Sequence, residues 1–306
     1  MKKLVALLLA ALMVFALCAC GSTSDTPNTP SNDGNAPADS SYPKMDIIMT
    51  CNGQSDAAND CIGANLFKQY IEEKSGGNIT VTVYNNDQLA GGDMTKGLEL
   101  VVNGDVQIDI HSTSIISRLD NRLMVSCLPW TFGSYDECEN AFLGGAGGDF
   151  VASVLAEHGL TYLGALHNGF KAMTSSKCLI TKPADLAGQK IRTPGGDLWN
   201  GFWSALGASP QAMSWSEGYT AMQQGTIDGH DNPIGVTVAG SFYEADPNCT
   251  KTHHVYSATV SMINRAFFDS LPAEYQQWIV EADAEACDYE RQLVQDLEEK
   301  DYATHL

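Results

Sequence analysis

Basic side chains are scarce in this chain. Its 306 residues include 17 lysine and arginine residues against 37 aspartate and glutamate residues, which gives a formal net charge of −20. A surface of that charge repels nucleic acid and anionic lipid headgroups, so neither is expected as a partner. An anionic small molecule is not excluded, because one local arginine outweighs a diffuse field at contact distance.

The motifs of common enzyme chemistry are also missing. The sequence has no Gly-x-Ser-x-Gly nucleophile elbow, no His-Glu-x-x-His helix and no phosphate-binding loop. The run from Gly144 to Gly148 is rich in glycine but lacks the Gly-Lys-Ser/Thr ending, and we interpret it as a loop before a helix over 150–158. Cysteine and histidine show no zinc-binding spacing. We therefore expect no catalytic residues, no cofactor and no metal site.

The N-terminus has the features of an export signal. Lys2 and Lys3 precede an apolar run, Leu4 to Leu17, that is too short for a comfortable membrane span. The sequence LCACG over residues 17–21 resembles the lipobox of bacterial lipoproteins. This resemblance implies that residues 1–19 are removed and that Cys20 is lipidated, with enough acyl chains for stable anchoring. An ordinary cleavable signal is the alternative.

A polar segment follows the predicted lipidation site. Residues 21–43 are Ser, Thr, Asn, Asp, Gly and Pro with almost nothing apolar, so they cannot bury enough surface to offset the entropy of ordering. We predict a flexible tether over residues 20–43 that holds a globular domain near a membrane surface. No later stretch reaches the length of a transmembrane helix, so the lipid would be the membrane attachment.

Seven of the nine cysteines lie beyond Cys20. An exported location permits disulfides, and an odd number leaves at least one cysteine unpaired or paired between chains. Cys51 with Cys61, and Cys127 with Cys138, would each close a short loop. The sequence does not decide the connectivity, and free thiols are equally compatible with it.

Strand and helix patterns alternate along the globular part. In order, they predict a strand over Met45–Cys51, a helix around 62–71, a strand over Ile79–Tyr84, a helix over Met94–Asn103 and a strand over Val106–Ile110. This β-α-β-α-β order with short connections favours a parallel sheet covered by helices. Later patterns predict strands over 160–166 and 190–192, a capping box over 214–217 and a long amphipathic helix from Pro272. We expect two α/β lobes with a cleft between them.

One region, residues 186–233, carries a family resemblance. Its segments LAGQKIRTPGG, ALGASP and MSWSEGYTAMQQGTIDGHDNP resemble the signature of TRAP transporter solute-binding proteins, with Met222 where leucine is usual. Four further segments match in order: SGGNI (75–79), NDQL (86–89), GFK (169–171) and HHVY (253–256). The resemblance therefore covers almost the whole globular part.

The resemblance implies a fold and a function. The fold is α/β and two-lobed, of the periplasmic-binding-protein type, with a hinge and a ligand cleft. Lobe 1 would span 44–167 with part of 255–297, and lobe 2 would span 168–254. The family usually continues beyond its long helix, so residues 298–306 would end a shortened or truncated chain. The function is capture of a small organic acid outside the membrane and delivery to permease subunits, without catalysis.

The family's carboxylate-binding arginine corresponds to Arg192. A guanidinium group offers two parallel donors to a carboxylate, which fixes orientation as well as charge. The resemblance also implies that Asn232 hydrogen-bonds the ligand and that Trp215 packs over it. The alternatives are a surface arginine at a strand end, a turn asparagine before Pro233 and a core tryptophan.

Five further residues are weaker predictions. Many acid-binding members carry a second arginine near the position of Lys171, and lysine keeps that charge but loses the fork. His254 lies near a cleft-facing histidine of some members, or is a structural histidine. Ser112, Thr113 and Asn52 follow predicted strands, and ligands of open α/β sheets collect at the carboxyl ends of strands.

Two other functions stay open at this stage. A binding lipoprotein of an ABC importer or of a sensor system would have a similar fold, and only the 186–233 signature argues against it. An exported enzyme on the same scaffold is the second alternative.

Overall fold

The computed structural model describes residues 42–143 and 145–305, so the predicted signal peptide, Cys20 and most of the tether lie outside the described residues. Within those ranges there are nine strands: β1 Met45–Cys51, β2 Ile79–Tyr84, β3 Ile108–Ser112, β4 Leu160–Ser175, β5 Lys190–Thr193, β6 Ser209–Ala212, β7 Gly229–Pro233, β8 Asn248–Thr250 and β9 Tyr256–Asn264. The same ranges hold ten α-helices: α1 Asn59–Lys74, α2 Met94–Asn103, α3 Thr113–Ile116, α4 Tyr135–Cys138, α5 Ala146–Glu157, α6 Asp197–Ala205, α7 Trp215–Gln223, α8 Ile234–Ala239, α9 Arg265–Ser270 and α10 Ala273–His305.

The strands follow one continuous path, β2-β1-β3-β9-β4-β7-β5-β6, with β8 beside β4. β1 runs parallel to both β2 and β3, which confirms the parallel arrangement predicted for the first part of the chain. β9 is antiparallel to its neighbours β3 and β4. Because β9 returns from late in the sequence, the sheet is mixed, a feature that the local patterns did not predict.

The long strand β4 changes partners along its length. It pairs with β9 from Leu160 to Phe170, then with β7 from Lys171 and with β8 from Met173. At the changeover Gly169 has a φ of +115° beside a β-bulge, a conformation that suits a residue without Cβ. β4 thus joins a first sheet (β2, β1, β3, β9) to a second sheet (β7, β5, β6), and it extends well beyond the strand predicted over 160–166.

Apolar side chains cover both faces of the first sheet. On one face Phe67 of α1 and Tyr275 of α10 pack with Ile47 of β1. On the other face Val101 of α2 packs with Val260 of β9. All five are buried, and each such side chain contributes roughly 1.5–3 kcal/mol on leaving water. Helices on both faces of a sheet are the layer arrangement predicted for an α/β protein.

Besides β4, α1 extends beyond the helix predicted around 62–71 at both ends, and β3 and α5 begin at shifted positions. β3 begins at Ile108, two residues late, because the amide of Val106 still donates to the carbonyl of Leu100 and closes the end of α2. Helix α5 begins at Ala146, four residues before the predicted start at Phe150. The capping box over 214–217 is confirmed.

None of the helices in the described ranges, α10 included, has both the length and the apolar character to cross a membrane.

The glycine at the start of β7 is required by a close backbone approach. A Cβ atom on Gly229 would lie 2.1 Å from the carbonyl oxygen of Thr174 in β4. We expect Gly229→Ala to lower the free energy of unfolding by roughly 1–3 kcal/mol, measured by thermal unfolding, because backbone cannot yield as a side-chain end does. Gly201→Ala in α6 is the matched control. A Cβ atom there meets nothing within 4 Å, so the variant should be slightly stabilised. Equal destabilisation of both would contradict this reading.

A buried acid of α10 predicts a pH-dependent stability. Burial raises the pKa of Asp283 from 3.8 to about 6, although Ser261 donates to its carboxylate at 2.5 Å. Since the folded protein binds this proton more tightly, the stabilisation is present below about pH 4 and is lost as pH rises through about 6. We expect Asp283→Asn to stabilise the protein by the order of 1–3 kcal/mol at about pH 8 and little at about pH 4. Unfolding midpoints across pH would test this, and a pH-independent effect would contradict it.

Candidate functional site

One cavity lies where the ends of the two sheets face each other. The first sheet contributes residues that follow β1 and β3, and the second sheet contributes the ends of β5 and β7 with the start of α7. Its lining includes Asn52, Gly53, Gln54, Ala58, Asp60, Ser112, Ser114, Asn168, Lys171, Arg192, Pro194, Trp215, Asn232 and Thr259. Six of the eight ligand contacts predicted from sequence therefore line a single cavity: Asn52, Ser112, Lys171, Arg192, Trp215 and Asn232.

Arg192 is a buried cation on β5. Its side chain is 5% exposed, and its Nε and Nη2 atoms donate to the carbonyl oxygen of Met213 at 3.1 and 2.9 Å. The guanidinium carbon lies 5.3 Å from the ring centre of Trp215. Burial lowers the pKa of Arg192 to about 10, so the group stays charged at neutral pH. Within the described part of the chain, no carboxylate forms an ion pair with it.

Lys171 differs from Arg192, because its positive charge is already paired with a carboxylate. Its Nζ atom lies 3.1 Å from the Asp231 carboxylate and 4.1 Å above the ring of Trp199. Burial opposes ionisation of Asp231, but Lys171 and His254 outweigh burial and lower its pKa. The lysine and the aspartate therefore form a buried ion pair at the edge of the cavity. Of the two cations among the described lining residues, Arg192 is therefore the one without an ion-paired acid.

Trp215 and Asn232 complete the second-sheet side. Trp215 lines the cavity, and its ring stacks on Phe242 with 4.2 Å between ring centres. The Asn232 Nδ2 atom lies 3.4 Å from Nδ1 of His230. Burial lowers the pKa of His230 to about 3, so this histidine is neutral at pH 7 and accepts from the amide. That hydrogen bond sets the orientation of Asn232.

On the first-sheet side, Asn52 is held by a buried charge cluster. Its side-chain amide donates to Asp87, and His111 lies between Asp87 and Asp109 at 3.0 and 2.6 Å. Burial alone would lower the pKa of His111, but the two carboxylates outweigh it and raise the pKa well above its ordinary value. The imidazolium is thus neutralised from both sides. Sequence reasoning missed this cluster because Asp87, which follows β2, is distant in sequence from Asp109 and His111 on β3.

Two predicted contacts lie outside the cavity. The Thr113 hydroxyl contacts the Cys127 sulfur at 3.2 Å and donates to the carbonyl of Ala258 at 3.3 Å. His254 lines a different cavity, and its Nε2 atom lies 3.4 Å from Asp231. Both residues are buried behind the site: α3 turns the Thr113 side chain away from the strand end, and His254 supports the Lys171–Asp231 pair.

Several lining residues were not predicted, and some of them connect the two sides. Among the lining residues, Gln54 donates through Nε2 to the carbonyl oxygen of Trp215 at 3.0 Å, and outside this cavity Ser216 donates to the carbonyl of Gly92 at 2.9 Å. The signal for Gln54 was present, since it follows β1 in the loop that supplied Asn52, and Asp60 lies just beyond that loop in the first turn of α1. These contacts close the cavity between the lobes.

Comparison with known proteins agrees with this geometry. A family model described as bacterial extracellular solute-binding protein, family 7, matches residues 53–305. The chain is 30% identical to the 2,3-diketo-L-gulonate-binding periplasmic protein of Escherichia coli over 78% of this chain and 72% of that protein. It is 32% identical to the C4-dicarboxylate-binding periplasmic protein of Rhodobacter capsulatus over 78% of this chain and 71% of that protein.

A solved structure extends the comparison to the fold. The crystal structure of a TRAP periplasmic solute-binding protein from Sulfurospirillum deleyianum, with bound succinate, matches with a TM-score of 0.80 and 27% identity. The match covers 86% of this chain and 83% of that chain, which confirms the predicted two-lobed α/β fold. The chain therefore belongs to family 7 of the bacterial extracellular solute-binding proteins and is a solute-binding protein of the TRAP type.

Proposed function

We propose that this protein binds a small monocarboxylate bearing hydroxyl groups in the cavity around Arg192, and delivers it to the permease subunits of a TRAP transporter. The buried, unmatched charge of Arg192 is the observation that carries the proposal. An isolated charge in a buried site is costly unless a partner compensates it. A ligand carboxylate supplies that compensation and suits the guanidinium fork.

The charge balance favours one carboxylate in the ligand. Lys171 is neutralised by Asp231, and Asp60 on the opposite side adds an acid to the lining. A second ligand carboxylate would meet no unmatched cation among the described lining residues. The Rhodobacter relative is named for C4-dicarboxylates and the Escherichia relative for a sugar acid. The pocket chemistry favours the second kind of ligand.

The remaining polar groups suit hydroxyl recognition. Ser112, Asn168, Asn232 and Thr259 offer hydroxyl and amide groups that both donate and accept. Apart from its carboxylate, a hydroxy or sugar acid needs neutral polar partners for its hydroxyl groups. The lining offers more groups of this kind than charged groups. Trp215 supplies the apolar surface against which the carbon chain packs.

Release would require the lobes to separate. Gln54 and Ser216 link the two sides by single hydrogen bonds, and β4 carries Gly169 where it changes partners. A hinge there would open the cleft, and ligand would favour the closed form by contacting both sides. We propose no catalytic role. The relatives' transport function supports a TRAP system over the ABC importer or sensor alternative.

A binding screen with an Arg192 variant tests this function. The mature protein, solubilised in detergent, would be titrated with hydroxy and sugar monocarboxylates and with C4-dicarboxylates, and heats of binding measured. We expect a monocarboxylate to bind best. Arg192→Ala should weaken it by about 100-fold or more, and Arg192→Lys by less, because lysine keeps the charge without the fork.

Arg122→Ala is the charge-matched control for this screen. Arg122 pairs with Asp120 and Glu157 and its side chain is 46% exposed, so its loss should leave affinity unchanged. Tighter binding of a dicarboxylate would overturn the charge argument. Binding indifferent to Arg192 would overturn the assignment of the site.

We also propose that the protein is exported and held at the membrane by lipid on Cys20. Support comes from the LCACG segment and the polar tether after it. We expect Cys20→Ser to move the protein from the membrane fraction to the soluble fraction and to remove the acyl chains from its intact mass. Cys178→Ser, a second cysteine substitution, should change neither. A Cys20→Ser protein that stays in the membrane fraction would contradict lipid anchoring.

A further inference from the structure

Two cysteine sulfurs meet beneath the ligand cavity. Cys51 is the last residue of β1 and Cys61 lies in the first turn of α1, and both are fully buried. Their Sγ atoms are 3.0 Å apart, about 1 Å longer than a disulfide bond of about 2.05 Å. In the described ranges no other two cysteine sulfurs are in contact. The alternative pair Cys127 and Cys138 packs in separate apolar clusters.

The loop between these cysteines forms part of the cavity wall. Asn52, Gly53, Gln54, Ala58 and Asp60 all line the cavity. The loop rests directly on the sulfurs, since a Cβ atom on Gly53 would lie 2.7 Å from the Cys61 Sγ atom. A covalent bond between the two ends would therefore restrain residues 52–60 in the conformation that faces the ligand.

A metal ion explains this cluster less well. Cys51, Asp60 and Cys61 present ligand atoms within 4.8 Å of one another. The Asp60 carboxylate, however, already accepts the amides of Asn52, Gly53 and Cys61 at 2.9, 2.8 and 3.0 Å. Structural zinc takes four protein ligands, so the site would be incomplete. The contact with Cys61, burial and nearby Asp60 also raise the pKa of the Cys51 thiol, which disfavours the thiolate that a metal requires.

We propose that Cys51 and Cys61 form a disulfide bond in the exported protein and that this bond holds the ligand-contacting loop 52–60 in place. Two thiols lose two protons and two electrons to form one S–S bond. The acceptor is the disulfide of a thiol oxidase, which is reduced to two thiols by exchange through a mixed disulfide. Because the buried pair is shielded in the folded protein, this exchange belongs to folding after export.

The bond is tested without reference to any ligand. The mature protein would be denatured without reductant, alkylated and digested, and its peptides weighed. We expect the peptides containing Cys51 and Cys61 to be cross-linked, and five of the seven non-lipidated cysteines to be alkylated. Alkylation of all seven, or one equivalent of bound metal by elemental analysis, would overturn the proposal.

The role of the loop rests on the proposed function and is tested separately. Reduction, or the double variant Cys51→Ser/Cys61→Ser, should lower the unfolding midpoint by roughly 5–10 °C. It should also weaken binding of the best acid of the screen by about tenfold, because the loop must then be ordered on binding. Cys178→Ser, at an exposed cysteine, should change neither. A cross-linked protein with unchanged affinity after reduction would overturn the role of the loop. Absence of any acid ligand would overturn the proposed function and leave the bond standing.

Discussion

The pairing of β4 is the constraint on which the rest of the site depends. A strand has two edges, and β4 uses its length to pair first with β9 and then with β7 and β8. The change of partners brings the first and second sheets end to end, so that residues after β1 and β3 face those at the ends of β5 and β7. Gly169 permits the bend, because its backbone conformation suits a residue without Cβ. Lys171, just beyond it, is thereby carried into the wall of the cavity.

The buried cations around the cavity are matched by acids, with Arg192 as the exception among the described lining residues. Lys171 is matched by Asp231, and His111 is matched by Asp87 and Asp109. Groups of this kind are tolerated inside a protein because hydrogen bonds and opposite charge replace water. Arg192 has a carbonyl oxygen as its partner instead of an acid. The matched groups thus fix the walls, while the unmatched cation defines where an anion binds.

Local sequence patterns predicted the strands and helices whose formation depends on residues that are near in sequence. β1, β2 and α2 were predicted with the observed boundaries, since alternation and terminal glycines define them, and the capping box over 214–217 formed as expected. The antiparallel insertion of β9 depends on residues about 150 positions away, so no window shows it. Six predicted contacts converge on one cavity, but Thr113 and His254 do not. Which way α3 turns Thr113, and what His254 supports, are set by tertiary packing.

The acidic composition and an anionic ligand are compatible because they act at different ranges. The charges that give the chain its net −20 are mostly exposed, and salt screens their field within about 8–10 Å. Arg192 is buried and acts at contact distance, where a charge pair inside a protein is several times stronger than in bulk water. The ligand's affinity therefore depends on closure more than on net charge. Closure in turn depends on the loop after β1, since Gln54 of that loop reaches Trp215 on the opposite side. Anything that orders this loop strengthens both the wall of the cavity and the contact that closes it.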